Sequence, residues 1–219
     1  MSRVKEIELK VIPAKIANDF IKKHHYSGKV VNNSFLHFGA FLDKRLHGVM
    51  SFGHSLDKAK TQKLVKNTGW NEFCELNRMA FDDYLPRNSE SYCIGKALRL
   101  LKKNAPHLKW VISFADGCSC GDGTIYRASN FILTQIKKNS TMWINDKGDK
   151  IQNMSFVTNP ALNKKDFKRL DGYMLRYVYF LDKKCIKDLT CEIIPFSKIK
   201  EMGANMYKGV KNDQKAFKL

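Results

Sequence analysis

WVISFADGCSCGDGTIYRASNF, residues 110–131, is the stretch on which the fold turns. Its first six residues are almost continuously apolar, as expected of a strand inside a parallel sheet. Asp116 ends that strand, and a polar, glycine-spaced loop then leads to a short helix around residues 124–129 carrying Tyr126. Asp122 is placed to cap this helix, and Asn130 suits a left-handed residue at its end. Upstream, YCIGKALRLLKKNA (residues 92–105) has helical spacing. Ile94, Ala97, Leu98 and Leu101 form its apolar stripe, with Lys96, Arg99, Lys102 and Lys103 predicted to face out. Ser89 and Ser91 are the expected N-caps, and cationic residues gather in the last turns, where the helix dipole favours them. FCELNRMAF (residues 73–81) precedes this helix as a strand candidate, so strand, helix and strand form a βαβ unit. Ligands collect at the carboxyl ends of strands in such sheets, and Asp116 is therefore aimed at a site.

Reading outward, PAKIANDFIKK (residues 13–23) predicts a helix with Ile16, Phe20 and Ile21 on one face and Pro13 in its first turn. LHFGAFL (residues 36–42) and LHGVMSFG (residues 46–53) predict a hairpin of two central strands joined by a three-residue loop, Asp43-Lys44-Arg45. Residues 137–170 are polar and poor in periodicity, which predicts a long loop or an inserted excursion. MLRYVYFLD (residues 174–182) is the expected final strand, and IPFSKIKEMGANMYKG (residues 194–209) fits either a helix or an extended arm. The fold class is α/β. One domain over residues 1–182 is expected to hold a central mixed, partly parallel sheet flanked by helices, with residues 183–219 as a basic extension packed on it.

The chain carries 39 Lys and Arg against 21 Asp and Glu, a net charge of +18 and a pI near 9.7. Such a balance exceeds what solubility needs and makes nucleic acid the leading partner. Lys22, Lys23, Lys29, Lys137 and Lys138 are candidate phosphate contacts. No stretch approaches the roughly 18 apolar residues of a membrane-spanning helix. The opening Met1-Ser2-Arg3-Val4-Lys5 is not followed by the apolar core of a signal peptide, so a cytoplasmic location and no membrane partner are expected. Six cysteines suit a reduced protein that uses them as small apolar residues. Cys118-Ser119-Cys120 lacks the spaced pairs of a zinc site, with only Asp116, Asp122 and His107 as further candidates, and no metal is assigned.

This order of elements resembles the GNAT acyltransferase superfamily. Its cofactor motif, Gln/Arg-x-x-Gly-x-Gly/Ala, is similar to Tyr92-Cys93-Ile94-Gly95-Lys96-Ala97, with Tyr92 replacing the first residue. The resemblance implies an acyl-CoA such as acetyl-CoA, its pyrophosphate on amides of Cys93, Ile94, Gly95 and Lys96. A charged tRNA is the alternative donor. Four further motifs, His24-His25-Tyr26-Ser27, Glu75-Leu76-Asn77-Arg78-Met79, Ser113-Phe114-Ala115-Asp116 and Gly123-Thr124-Ile125-Tyr126-Arg127-Ala128-Ser129-Asn130-Phe131, resemble the phage Mom DNA-modification family. That similarity implies transfer of a carbamoylmethyl-type group to the exocyclic amine of adenine in DNA, which protects phage DNA from host restriction. Asp116 would orient or deprotonate the amine, Tyr126 would protonate a leaving group, and Arg78 would neutralise developing charge. Tyr26, His25 and Ser113 would line the base pocket, Tyr26 by stacking. A GNAT acyltransferase acting on tRNA, protein or an already modified base, and a DNA-binding protein without activity, remain the alternatives. Asp116 and Tyr126 at a strand end speak against the last.

Overall fold

The computed structural model describes residues 3–207 and 210–211. Asp43 and Lys44 both adopt positive φ, 50° and 62°, the pair of left-handed residues that a two-residue hairpin turn demands. The first hairpin is therefore tighter than the expected three-residue loop, and Arg45 already belongs to the second strand. The elements run β1 (Glu8–Val11), α1 (Ala14–His24), β2 (Ser34–Leu42), β3 (Arg45–Gly53), α2 (Lys58–Gln62), β4 (Phe73–Phe81), α3 (Ser89–Asn104) and β5 (Trp110–Asp116). Then come α4 (Thr124–Ala128), β6 (Ile132–Lys138), β7 (Met142–Asn145), β8 (Lys150–Gln152), α5 (Met154–Thr158), β9 (Phe167–Arg169) and β10 (Tyr173–Phe180). The tail adds α6 (Ser197–Glu201), β11 (Met206–Tyr207) and β12 (Val210–Lys211). It thus holds both a helical turn and a short hairpin, while residues 208–209 and 212–219 lie outside the described residues.

Seven strands form one sheet in the order β1-β2-β3-β4-β5-β10-β6. Only β4 and β5 are parallel, the consequence of the right-handed crossover that α3 provides between them. β5 runs antiparallel to β10 on its other side, so its apolar run reflects burial on both faces and not a wholly parallel sheet. One face packs α3 and α4 through Cys93, Ile94, Ala97, Leu98, Leu101 and Tyr126. The other face is covered at one end by α1, where Ala17 and Ile21 meet Val49 and Ala80. Ile16, expected on that buried stripe, is 48% exposed, because the helix turns its Ala17 and Ile21 side to the sheet. At the other end of the same face Phe73 stacks on Trp110 at 4.6 Å, with Val65 and Val178 around them.

α3 begins earlier than its caps suggested. Asn88, in a left-handed conformation, precedes it, and Ser89 and Ser91 donate their hydroxyls to the carbonyls of Pro86 and Asn88 and do not accept from amides. Lys96 does not face out either: its ammonium reaches the carbonyl of Ile7 at 2.7 Å, tying the helix to the N-terminal segment. Asp122 behaves as expected, accepting from the amide and hydroxyl of Thr124 and from Arg127, and Asn130 has φ 63°. Residues 138–172 form an excursion with its own sheet, β8-β7-β9. Among the described residues no helix is long and apolar enough to cross a membrane.

Candidate active site

β4 and β5 stay paired only from Phe73 opposite Trp110 to Glu75 opposite Ile112. Beyond that point β4 remains with β3 as far as Phe81, while β5 remains with β10 as far as Asp116 opposite Met174. An extra residue on β4, Asn77, shifts the register between Leu76 and Arg78 and bends the strand away. The two strands therefore open into a V. Ser113 sits at its apex, fully buried, and donates to the Leu76 carbonyl at 2.8 Å. It thus replaces a missing ladder bond where the strands part and does not line a substrate pocket, contrary to expectation.

Residues on the exit of α1 bridge this V. The Tyr26 hydroxyl donates to Oδ2 of Asp116 at 3.3 Å, on the β5 side. The Arg78 Nε donates to the Lys29 carbonyl at 3.0 Å, on the β4 side, while its Nη1 reaches the Asn77 carbonyl at 2.9 Å. Two backbone carbonyls fix the plane of the guanidinium. His25 lies against Tyr26 with ring centroids 4.3 Å apart, and its Nδ1 pairs with the Ser27 hydroxyl at 2.8 Å. Burial, reinforced by Arg78, drives the His25 pKa down to about 4, so the ring is neutral at physiological pH. The Tyr26 phenol is pushed up by desolvation of its hydroxyl and by the Asp116 charge, although the ring itself is half exposed.

Asp116 does two things. Its Oδ1 accepts from the amides of Cys118 and Ser119 at 2.9 and 3.1 Å, which folds the glycine-spaced loop back on the strand end. Its Oδ2 is left to Tyr26 and to the V. Tyr126, on α4, is buried and packs on Phe131 and Tyr177, with centroids at 5.4 and 5.2 Å. Burial raises its phenol to about 12, opposed by a bond with Ser113, with Glu75 and Arg78 among the charges it feels. Asp116 and Tyr126 thus approach the V from opposite faces of the sheet and do not bond one another. Their closeness in sequence comes from the short loop between β5 and α4.

Two residues at the V had been given no role. Glu75 points to the same face as Phe73, and burial raises its pKa, opposed by Ser55 and by Arg78. Phe114 lies on a central strand yet is 42% exposed, and alternation places it beside Asp116 on one face. An exposed aromatic in mid-sheet is the more informative observation, because neighbouring strands normally cover such a ring. The signal was present in sequence as an aromatic two residues before a strand-ending carboxylate.

The expected pyrophosphate cradle is not formed. Cys93 and Ile94 are fully buried in the main core, and all four residues, Cys93, Ile94, Gly95 and Lys96, lie beyond the first turn of α3. Amides that deep in a helix bond to the carbonyl four residues back and are not free for an anion. Glu90 further places negative charge in the first turn. These residues do not fit a coenzyme A pyrophosphate. A cavity of about 450 Å³ lies beyond Asp116, lined by Gly117, Cys118, Lys138, Lys150, Asp171 and Met206 among others.

Two expectations follow from this geometry. Arg78→Ala should lower turnover about 10²–10³-fold, the effect of removing one preorganised donor. Arg78→Lys should recover little, because one ammonium cannot replace the planar fork that spans Lys29 and Asn77. A lysine variant with the parent's turnover would rule out the planar requirement. For His25, the folded pKa lies below the unfolded value near 6.5, so between about pH 6.5 and pH 4 the unfolded chain takes up a proton that the fold refuses. Stability should fall as pH falls through that window. Glu75 acts oppositely: its raised pKa contributes stability at low pH that is lost as pH rises through the folded value. Melting curves should show a flatter acid limb for His25→Gln, and an unchanged limb would remove His25 as its cause.

The chain matches the sequence model of the Mom protein family over residues 6–198. It is 40% identical over 127 residues to a protein of Escherichia phage Mu named methylcarbamoylase mom. That alignment covers 58% of this chain and 53% of the relative, so the chain spans about half the length of the curated relative it matches. Among solved structures it resembles spermidine/spermine N-acetyltransferase SpeG from Vibrio cholerae, with a TM-score of 0.52 and 9% identity, covering 85% of this chain and 99% of that one. It also resembles Arabidopsis thaliana NAA60 in complex with a bisubstrate analogue, with a TM-score of 0.50 and 12% identity, covering 80% and 97%. At such identities the likeness is one of fold: the mixed sheet flanked by helices is that of the GNAT acetyltransferases.

Proposed function

The chain belongs to the Mom protein family, and from that premise we propose that it transfers a methylcarbamoyl-type group to the exocyclic amine of adenine in double-stranded DNA. The observation that carries this reading is the bridge from Tyr26 to Asp116 across the open V, with the exposed Phe114 ring beside it. Two residues along a strand span about 6.6 Å. Both side chains rise from one face of β5, so a purine stacked on Phe114 can turn its exocyclic amine toward the Asp116 carboxylate.

In this reading the adenine leaves the duplex, because its amine is engaged in base pairing and its lone pair is delocalised into the ring. Phe114 takes the stacking role first expected of Tyr26, whose hydroxyl is committed to Asp116. Asp116 accepts the amine proton as the nitrogen attacks an activated donor. Tyr126, held protonated by burial, supplies a proton to the leaving group, and Arg78 stabilises negative charge as it develops. The chain's net charge of +18 supplies the phosphate attraction. Expression in a bacterial host followed by mass spectrometry of DNA nucleosides tests the reading. A modified adenine together with resistance to restriction is expected, and unmodified DNA from cells making folded protein would refute it.

A further inference from the structure

Residues 137–170 hold eight Lys or Arg against three Asp, and every one of the eight is exposed. The excursion they form is rooted beside the candidate site: Met174 pairs with Asp116 on one side and with Lys137 on the other, so its base lies two strands from the carboxylate. Asn139 pins that base, bonding through its amide to the carbonyls of Met142 and Leu170 and through its oxygen to the amides of Thr141 and Met142. The small sheet has a core of its own. Phe156 meets Trp143 and Phe167 edge to face at 5.7 and 5.4 Å, while Lys164 and Arg169 lie over the Trp143 ring at 4.7 and 5.3 Å.

Phe156 therefore turns inward, and the opposite side of α5 is left bare. Met154 is 64% exposed and Val157 is 73% exposed, three residues apart and so on one side of a single turn. Two bare apolar side chains on a strongly basic module have a physical counterpart in proteins that bend or open duplexes, where cations hold the phosphates and an apolar wedge enters between base steps. A buried core or a second protein surface would not call for eight exposed cations along one excursion and its base.

We propose that this excursion is a duplex-opening element, with Met154 and Val157 as its wedge and the surrounding lysines and Arg169 on the flanking phosphates. The inference rests on the reading of the site as one that takes adenine from duplex DNA. It adds the part of the protein that frees the base.

Permanganate oxidises thymines that have lost their stacking, so it reports opening without a donor and without knowledge of the preferred sequence. The full chain, mixed with plasmid fragments, should raise thymine reactivity several-fold at discrete positions. Met154→Ser/Val157→Ser should melt at the same temperature and bind the fragments within about threefold of the parent, yet leave thymines at background. Met154→Leu/Val157→Ile, which keeps the apolar pair, should restore reactivity. Equal reactivity for the parent and the serine variant would overturn the proposal, as would a parent that opens no thymines. A serine variant that changes only the sedimentation of the protein would overturn it in favour of a contact between copies. Nucleoside analysis of DNA from cells expressing the parent reads the adenine assignment separately, so loss of one conclusion is distinguishable from loss of the other.

Discussion

Asp116→Ala should reduce adenine modification by about 10²–10⁴-fold, the range for loss of a positioned acid or base. The substitution removes both things the carboxylate does: its bond to Tyr26 in the V and its acceptance of the Cys118 and Ser119 amides. The Cys118 amide, deprived of its acceptor, costs about 1–3 kcal/mol if shut off from water, while the Ser119 amide keeps the Asp116 backbone carbonyl at 3.3 Å. A melting decrease of several degrees is therefore expected alongside the lost activity. Asp116→Asn separates the two contributions. Its amide oxygen can still accept from Cys118 and Ser119, so the loop should hold and the melting temperature should return toward the parent's. An amide cannot take the proton of the attacking amine, so activity should remain lost. Nucleoside mass spectrometry and thermal melting on the same preparations decide the matter. An asparagine variant with parental activity would leave Asp116 a loop anchor and nothing more.

That carboxylate was legible in sequence because an apolar strand ending in a charged residue needs no knowledge of pairing. The same holds for α3, whose buried stripe of Ile94, Ala97, Leu98 and Leu101 follows from helical spacing alone. The V was not legible, since it depends on where β4 changes partners and on the extra residue at Asn77, neither of which leaves a local pattern. Ser113 consequently looked like a pocket residue when it is a tie between parting strands. The pyrophosphate expectation failed for a related reason. Spacing of Gly95 and Ala97 gives the motif but not where the helix starts, and a start at Ser89 puts those amides inside it. Strands of three or four residues, as in β7, β8 and β9, are too short for a period of two to stand out from polar sequence. Phe114 was overlooked because burial is the ordinary fate of an aromatic on a central strand, and only the missing β4 partner uncovers it.

Gly123→Ala should be among the most damaging small changes in the molecule. Gly123 has φ 82°, a conformation that costs an L-residue about 1–2 kcal/mol. A Cβ there would also overlap the Tyr177 ring, which is fully buried in the core between β5 and β6 and has no free side to move toward. Forcing such a shift in a packed interior adds about 1–3 kcal/mol. Together these predict a melting temperature lower by roughly 4–20 °C for a chain of this size. The effect should reach the site as well. Tyr177 donates its hydroxyl to the Asp122 carbonyl, and Asp122 in turn holds Thr124 and Arg127 at the start of α4. Displacing the ring therefore loosens the short helix that sets Tyr126, whose ring rests on that of Tyr177 at 5.2 Å. Tyr177→Phe keeps the ring but loses the bond to Asp122, so it should lower stability less than Gly123→Ala. Combining Gly123→Ala with Tyr177→Leu removes the ring that the new methyl strikes and should cost less than the sum of the two single changes, since the overlap is present only when both the methyl and the ring are there. Strict additivity of the two in thermal melting would mean that the overlap is absorbed elsewhere and that α4 owes its position to Asp122 and Arg127 alone.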